Sequence, residues 1–134
     1  IDQTIVGPDG FGDAKFVEQA TPAAATNVYY VSGFTTSGEM SEKAKKFVEA
    51  YKAKYKEEPS MFAALAYDSV YMAAEAAKGA KTSVDIKDNL AKLKDFDGVT
   101  GSITIDKDHN PVKTALMIGL KDGQVDTVET VKAE

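Results

Sequence analysis

Asp9 is the side chain whose surroundings in the sequence most suggest chemistry. It stands in Gly7-Pro8-Asp9-Gly10-Phe11-Gly12, after a short apolar run ending at Val6 and before an amphipathic segment carrying Phe16, Val17 and Ala20. A glycine-rich turn between strand and helix presents backbone N–H groups at the positive end of the helix, an arrangement that commonly holds phosphate. Here Asp9 would set a carboxylate where the phosphate sits, and like charges at contact distance repel unless a metal intervenes. The glycine spacing also departs from the dinucleotide and P-loop patterns. Two roles stay open. The carboxylate can cap the helix that follows. Alternatively, held as an anion by the same N–H groups, it can receive a cation such as the ammonium of an amino acid.

Other candidates carry less. Asp106, Asp108 and Asn110 have the alternate spacing that begins a calcium loop, but Pro111 stands where that loop requires glycine and Met117 where it requires the bidentate glutamate. A polar turn between strands is expected there instead. His109, the one histidine, sits inside that turn, and no glycine-flanked serine elbow exists for it to serve. Glu57 and Glu58 lie at a lysine-rich helix end and read as solvated charge. Phe62 and Tyr67 could form an aromatic wall against a ligand, or could be ordinary packing aromatics. No catalytic residue, metal centre or cofactor is expected.

Composition narrows the partners. The 134 residues are 43% hydrophobic with formal net charge -5, enough for a compact core and unsuited to nucleic acid. All positive charge is lysine, so the planar fork used for bidentate anion recognition is missing. Cysteine is absent, which removes disulfides, thiolate metal sites and a cysteine nucleophile together. No apolar run approaches the roughly 20 residues of a membrane span. The chain opens at Ile1, directly in strand-like sequence, and further residues upstream are expected.

The elements that would hold these residues follow from periodicity. Gln3 to Val6 and Asn27 to Val31 read as strands flanking the first amphipathic segment, and Ser32 to Gly38 is a glycine- and serine-rich connection suited to a hinge. Ser41 can cap a helix carrying Ala44, Phe47, Val48, Tyr51 and Tyr55, closed by Pro59. Ser60 opens an alanine-rich helix to Lys78, with Gly79 in the left-handed position after it. A third helix is expected from Val84 to Leu93 with Ser83 as cap. Strands follow at Ser102 to Ile105, Ala115 to Leu120 and Val125 to Val131, the last two joined by a hairpin at Lys121-Asp122-Gly123.

Three stretches carry a family resemblance: IVGPDGF, FVEAYKAKYKEEPSMFAALAYDSVYMAAEA and LKDFDGVTGSITIDKDHNPVKTALMIGLKDG. In order and in content they resemble the carboxy-terminal part of the leucine-isoleucine-valine type of ABC transporter substrate-binding protein. The resemblance implies an α/β chain, a portion of the two-lobed type I periplasmic-binding fold, with helices on a mainly parallel sheet and a C-terminal antiparallel hairpin. In that family two lobes joined by three hinge strands close on the ligand. By this analogy residues 1–31 and 114–134 belong to the second lobe and 35–112 to the first, with crossings near 32–34 and 112–114.

Site residues carry over only where the motif matches. The resemblance implies that Asp9 faces the α-ammonium of the ligand, that Gly10 and Phe11 lie at the same wall, and that Phe62 lines the side-chain pocket. Tyr67 and Asp68 match the family pattern and are expected near the hinge, in a structural role. The positions that hold the α-carboxylate lie upstream in the family. The implied partners are a small amino acid, branched-chain by analogy, and an ABC permease. The implied location is extracytoplasmic, with membrane contact only through a lipid anchor outside this chain. Two readings compete: a ligand-sensing domain of a receptor or regulator on the same fold, and an α/β enzyme. The latter should show a nucleophile with a base, or a metal cluster, and the sequence offers neither.

Overall fold

The computed structural model describes residues 3–132. Ile1, Asp2, Ala133 and Glu134, the outer ends of the two expected second-lobe segments, lie outside the described residues. The chain builds β1 (Ile5–Gly7), a 3₁₀ turn (Asp9–Gly12), α1 (Ala14–Ala20) and β2 (Val28–Ser32). Helices α2 (Glu42–Tyr55), α3 (Met61–Ala77) and α4 (Ser83–Leu90) follow, then β3 (Phe96–Gly98), β4 (Gly101–Ile105), β5 (Pro111–Val112), β6 (Ala115–Lys121) and β7 (Gln124–Val131).

Two sheets result, a four-stranded one in the order β1-β2-β6-β7 and a three-stranded one in the order β3-β4-β5. The mixed α/β architecture is the expected one, but the expected parallel pairing is confined to β1 and β2. Pairs β2–β6 and β6–β7 are antiparallel, as are β3–β4 and β4–β5. The reason is connectivity. The β1-α1-β2 crossover supports a parallel pair, whereas β7 follows β6 through a hairpin and β3, β4 and β5 follow one another through short turns, which only antiparallel pairs allow. In that hairpin Asp122 and Gly123 have φ of 50° and 73°, the left-handed pair a two-residue turn demands.

The helices start where their caps allow. Ser41 accepts from the Ala44 N–H and Ser60 from the Ala63 N–H, each satisfying an otherwise orphaned donor. For α4 the expected cap is one residue off. Thr82 accepts from the Asp85 N–H while Asp85 reaches back to the Thr82 N–H, a reciprocal capping box. The helix therefore begins at Ser83, and it stops at Leu90 rather than Leu93.

Apolar burial gathers in two clusters. One joins Val28 and Tyr30 of β2 to Ile118 and Leu120 of β6, with Phe11, Phe16 and Val17 packed against them. The other joins Phe34 to Ala44, Phe47 and Val48 of α2, Met61 and Ala64 of α3, and Val99. The chain passes from one to the other at Gly33, just before Phe34, and again at residues 113–114.

Candidate functional site

The Asp9 loop is shaped by close contacts beneath it. A side chain on Gly7 would collide with the Phe11 ring, and one on Gly12 would come within 3.0 Å of Tyr30 Cε2. Glycine at these two positions lets the turn fold down onto β2. Its hydrogen bonds run from Phe11 N–H to Pro8 O (3.1 Å) and from Asp13 N–H to Gly10 O (3.2 Å). Phe11 is half-buried and stacks on Phe16, centroids 4.3 Å apart, so part of its ring serves the core. Burial pushes the Tyr30 phenol below the turn upward from its ordinary value. Beside Asp9 there is room: a Cβ on Gly10 would meet nothing within 4 Å.

The two sequence readings of Asp9 separate here. The helix cap is Asp13, whose Oδ1 accepts from the Lys15 N–H at 2.8 Å. Asp9 opens the 3₁₀ turn five residues before α1, is exposed, and receives no hydrogen bond on its carboxylate among the described residues. An aspartate directly before the first apolar-periodic residue was the sequence signal for Asp13 as cap.

Phe62 and Tyr67 stand on α3. Met61, Ala64 and Asp68 form the buried face of its first two turns, which leaves Phe62 turned to solvent at 53% exposure. Tyr67 packs on Phe47 (4.8 Å) and Tyr71 (4.6 Å) in an aromatic groove between α2 and α3. The start of α3, however, is tied to the end of β2. Met61 Sδ accepts from the Gly33 N–H at 3.1 Å and lies 3.2 Å from Ser32 Oγ. Strand β2 runs parallel to β1 with Gly7 opposite Tyr30. The Asp9 loop and the Phe62 end of α3 are thus both built at the carboxyl end of the parallel pair, where open α/β sheets place their ligands.

Behind this edge lies a network that the sequence did not reveal. Asp68 is buried, and its carboxylate accepts from the Val99 N–H (2.7 Å), the Thr100 N–H (2.9 Å) and the Thr100 hydroxyl (2.7 Å). Lys113 Nζ donates to Thr100 Oγ1 (2.8 Å) and to Gly33 O (3.2 Å). Desolvation pushes the Lys113 ammonium down from its ordinary value, and the nearby Asp68 charge opposes that shift. The expectation that Asp68 is structural thus has its partners. The acidic turn is also accounted for. Asp106 Oδ1 accepts from the N–H groups of Asp108 and Asn110, both at 2.8 Å, and His109 takes φ of 66°. Among the described residues no three His, Cys, Asp or Glu side chains converge on a metal position.

The chain belongs to the periplasmic binding protein family, whose model matches residues 2–124. It is similar to the branched-chain amino acid transporter substrate binding protein LivJ from Streptococcus pneumoniae, solved in complex with isoleucine. The two are 60% identical with TM-score 0.91 over 99% of this chain and 38% of that one. The leucine binding protein LivK of Thermotoga maritima is 27% identical with TM-score 0.87, over 98% of this chain and 38% of its own. A benzoate-bound solute binding protein of R. palustris, 22% identical with TM-score 0.74 over 98% of this chain and 38% of its own, shares the fold. No curated sequence matches the chain. The chain thus spans 38% of the length of these three proteins. Among the described residues no helix is long and apolar enough to cross a membrane.

Proposed function

We propose that the chain is the carboxy-terminal portion of an extracytoplasmic solute-binding protein that captures a branched-chain amino acid and delivers it to an ABC permease. In this reading residues 1–31 and 114–134 form part of one lobe and 35–112 part of the other, the chain crossing near 32–34 and 112–114. The complete protein closes on its ligand about those crossings. The complete protein works in the periplasm or at the outer face of the cell membrane, any membrane contact being through a lipid anchor outside this chain.

The observation that carries this reading is the Asp9 carboxylate: exposed, excused from capping by Asp13, and placed at the carboxyl end of β1. A free carboxylate at the mouth of a closing cleft suits an α-ammonium, giving a charge-assisted hydrogen bond of about 1.5 to 3 kcal/mol. Gly10 leaves space for the amine, Phe11 lies at the same wall as Asp9, and Phe62 lines the side-chain pocket in the complete receptor. Tyr67 belongs to this proposal as a further aromatic of the same helix as Phe62. The isoleucine carried by the 60%-identical S. pneumoniae protein favours an aliphatic side chain for the ligand. The test is calorimetric titration of isoleucine, leucine and valine into the complete receptor that contains this chain. Binding of at least one is expected, and ligand at 100 times its Kd should add about 2.7 kcal/mol of stability. Heat traces indistinguishable from buffer for all three would remove the assignment.

A further inference from the structure

Lys113 and Gly33 lie on the two different segments that join the apolar clusters, and one ammonium ties them together. Gly33 follows the last residue of β2, and Lys113 stands two residues before the first residue of β6. Ser32 and Leu116 pair across the sheet, so the two segments leave it side by side. Lys113 Nζ holds the Gly33 carbonyl on one segment and the Thr100 hydroxyl on the β3–β4 turn. Thr100 Oγ1 accepts from that ammonium and donates to Asp68, whose other partners are the N–H groups of Val99 and Thr100. The relay runs from a buried carboxylate on α3, through a hydroxyl, to a half-buried lysine, and ends on the backbone of the opposite crossing.

From this geometry we infer that Lys113 is a clasp that fixes the angle between the two packed units by locking both crossings to α3. It is a positioning residue and touches no ligand. A Cβ on Gly33 would lie 3.5 Å from Nζ, an ordinary contact, so the hydrogen bond to the Gly33 carbonyl and not crowding links the two. An apolar replacement would fill part of the volume but leave the Gly33 carbonyl and the Thr100 hydroxyl without their shared donor. Each unit keeps its own apolar cluster, so what is lost is their mutual orientation. The inference rests on the proposed movement of two units about these crossings and not on the identity of the ligand.

The chain has no cysteine, which makes a spin-label distance measurement direct. Labels on Lys46→Cys in α2 and Asp126→Cys in β7, both exposed positions, report the separation of the units. Lys113→Met and Thr100→Val should each shift or broaden the distance distribution beyond the width seen in the parent. The double variant should add little, because both remove the same relay. Far-UV circular dichroism should stay at the parent signal throughout. A parent-like distribution in either variant overturns the clasp. If Lys113→Met fails to fold, Thr100→Val alone decides in the same two directions. Loss of amino-acid binding by the parent receptor with a clasp-dependent distance would sink the ligand assignment and leave this inference standing; the reverse pattern would do the opposite.

Discussion

The backbone N–H of Val99 points at Asp68 Oδ1 from 2.7 Å, and the carboxylate so held occupies the space where Gly98 would otherwise carry a side chain: a Cβ there would lie 2.5 Å from Oδ2. Asp68→Ala strips three donors of their acceptor in a buried setting and should cost about 3 kcal/mol in urea denaturation. Gly98→Ala pushes the carboxylate off those donors and should cost about 1 to 3 kcal/mol. Gly98 is not a left-handed position, so contact alone sets that cost. The double variant should fall short of the sum by roughly 0.5 kcal/mol or more, because alanine at 68 vacates the contested space. Strict additivity would mean that the two residues do not compete.

The capping box of α4 gives a prediction with a sign in pH. Backbone N–H groups of Lys81 and Thr82 hold the Asp85 carboxyl below the ordinary aspartate value of 3.8, Lys81 contributing most. A depressed folded-state value means the stabilisation is complete above 3.8 and is lost as pH falls through the lower folded value. Stability curves of the parent should therefore drop on acidification in that window, and Asp85→Asn should flatten the drop. Thr82→Ala removes the reciprocal partner and should cost about 1 kcal/mol at neutral pH. Equal acid limbs for parent and Asp85→Asn would contradict the box.

Two glycines share one backbone angle and differ only in what surrounds them. Gly79 and Gly123 both have φ of 73°, yet a Cβ on Gly79 meets nothing within 4 Å while one on Gly123 meets Val17 Cγ1 at 2.7 Å and Pro22 Cα at 3.1 Å. Gly79→Ala should cost only the left-handed strain, about 1 to 2 kcal/mol. Gly123→Ala should cost that plus the displacement of α1 from the hairpin, adding about 1 to 3 kcal/mol. Thermal unfolding of the pair separates strain from contact, and equal losses would show that contact adds nothing.

Local signals explain what the sequence makes legible. Ser41 and Ser60 before apolar periodicity, Gly79 after it and Asp122-Gly123 between alternating runs are each written within four residues, and each falls where expected. Thr82 escaped because Ser83 beside it is an equally good cap by type; only the reach of Asp85 three residues on decides between them. Strands β3 and β5 escaped because three- and two-residue strands have no period to read. The antiparallel β2–β6 pair is likewise beyond local reading, its partners lying more than 80 residues apart. The same holds for the network behind the site. Asp68 finds its donors more than 30 residues on, and Lys113 reaches back 80 to Gly33. The glycine loop stands out in the sequence; the choice between cap and open carboxylate needed the position of Asp13.

That choice yields the sharpest pair of variants. Asp13 accepts from the Lys15 N–H and holds the start of α1, so Asp13→Ala should lower stability by about 1 kcal/mol. Among the described residues Asp9 makes no comparable bond, so Asp9→Asn should leave stability within about 0.5 kcal/mol of the parent. In the complete receptor the ranking should invert. Asp9→Asn would leave a buried ammonium without its counter-charge and should weaken amino-acid affinity by about 3 to 5 kcal/mol, whereas Asp13→Ala should alter it little. Calorimetry for affinity and urea unfolding for stability, run on both variants, give four numbers. Less than a tenfold loss of affinity in Asp9→Asn, or a stability loss as large as that of Asp13→Ala, would place the carboxylate in the scaffold instead of at the ligand.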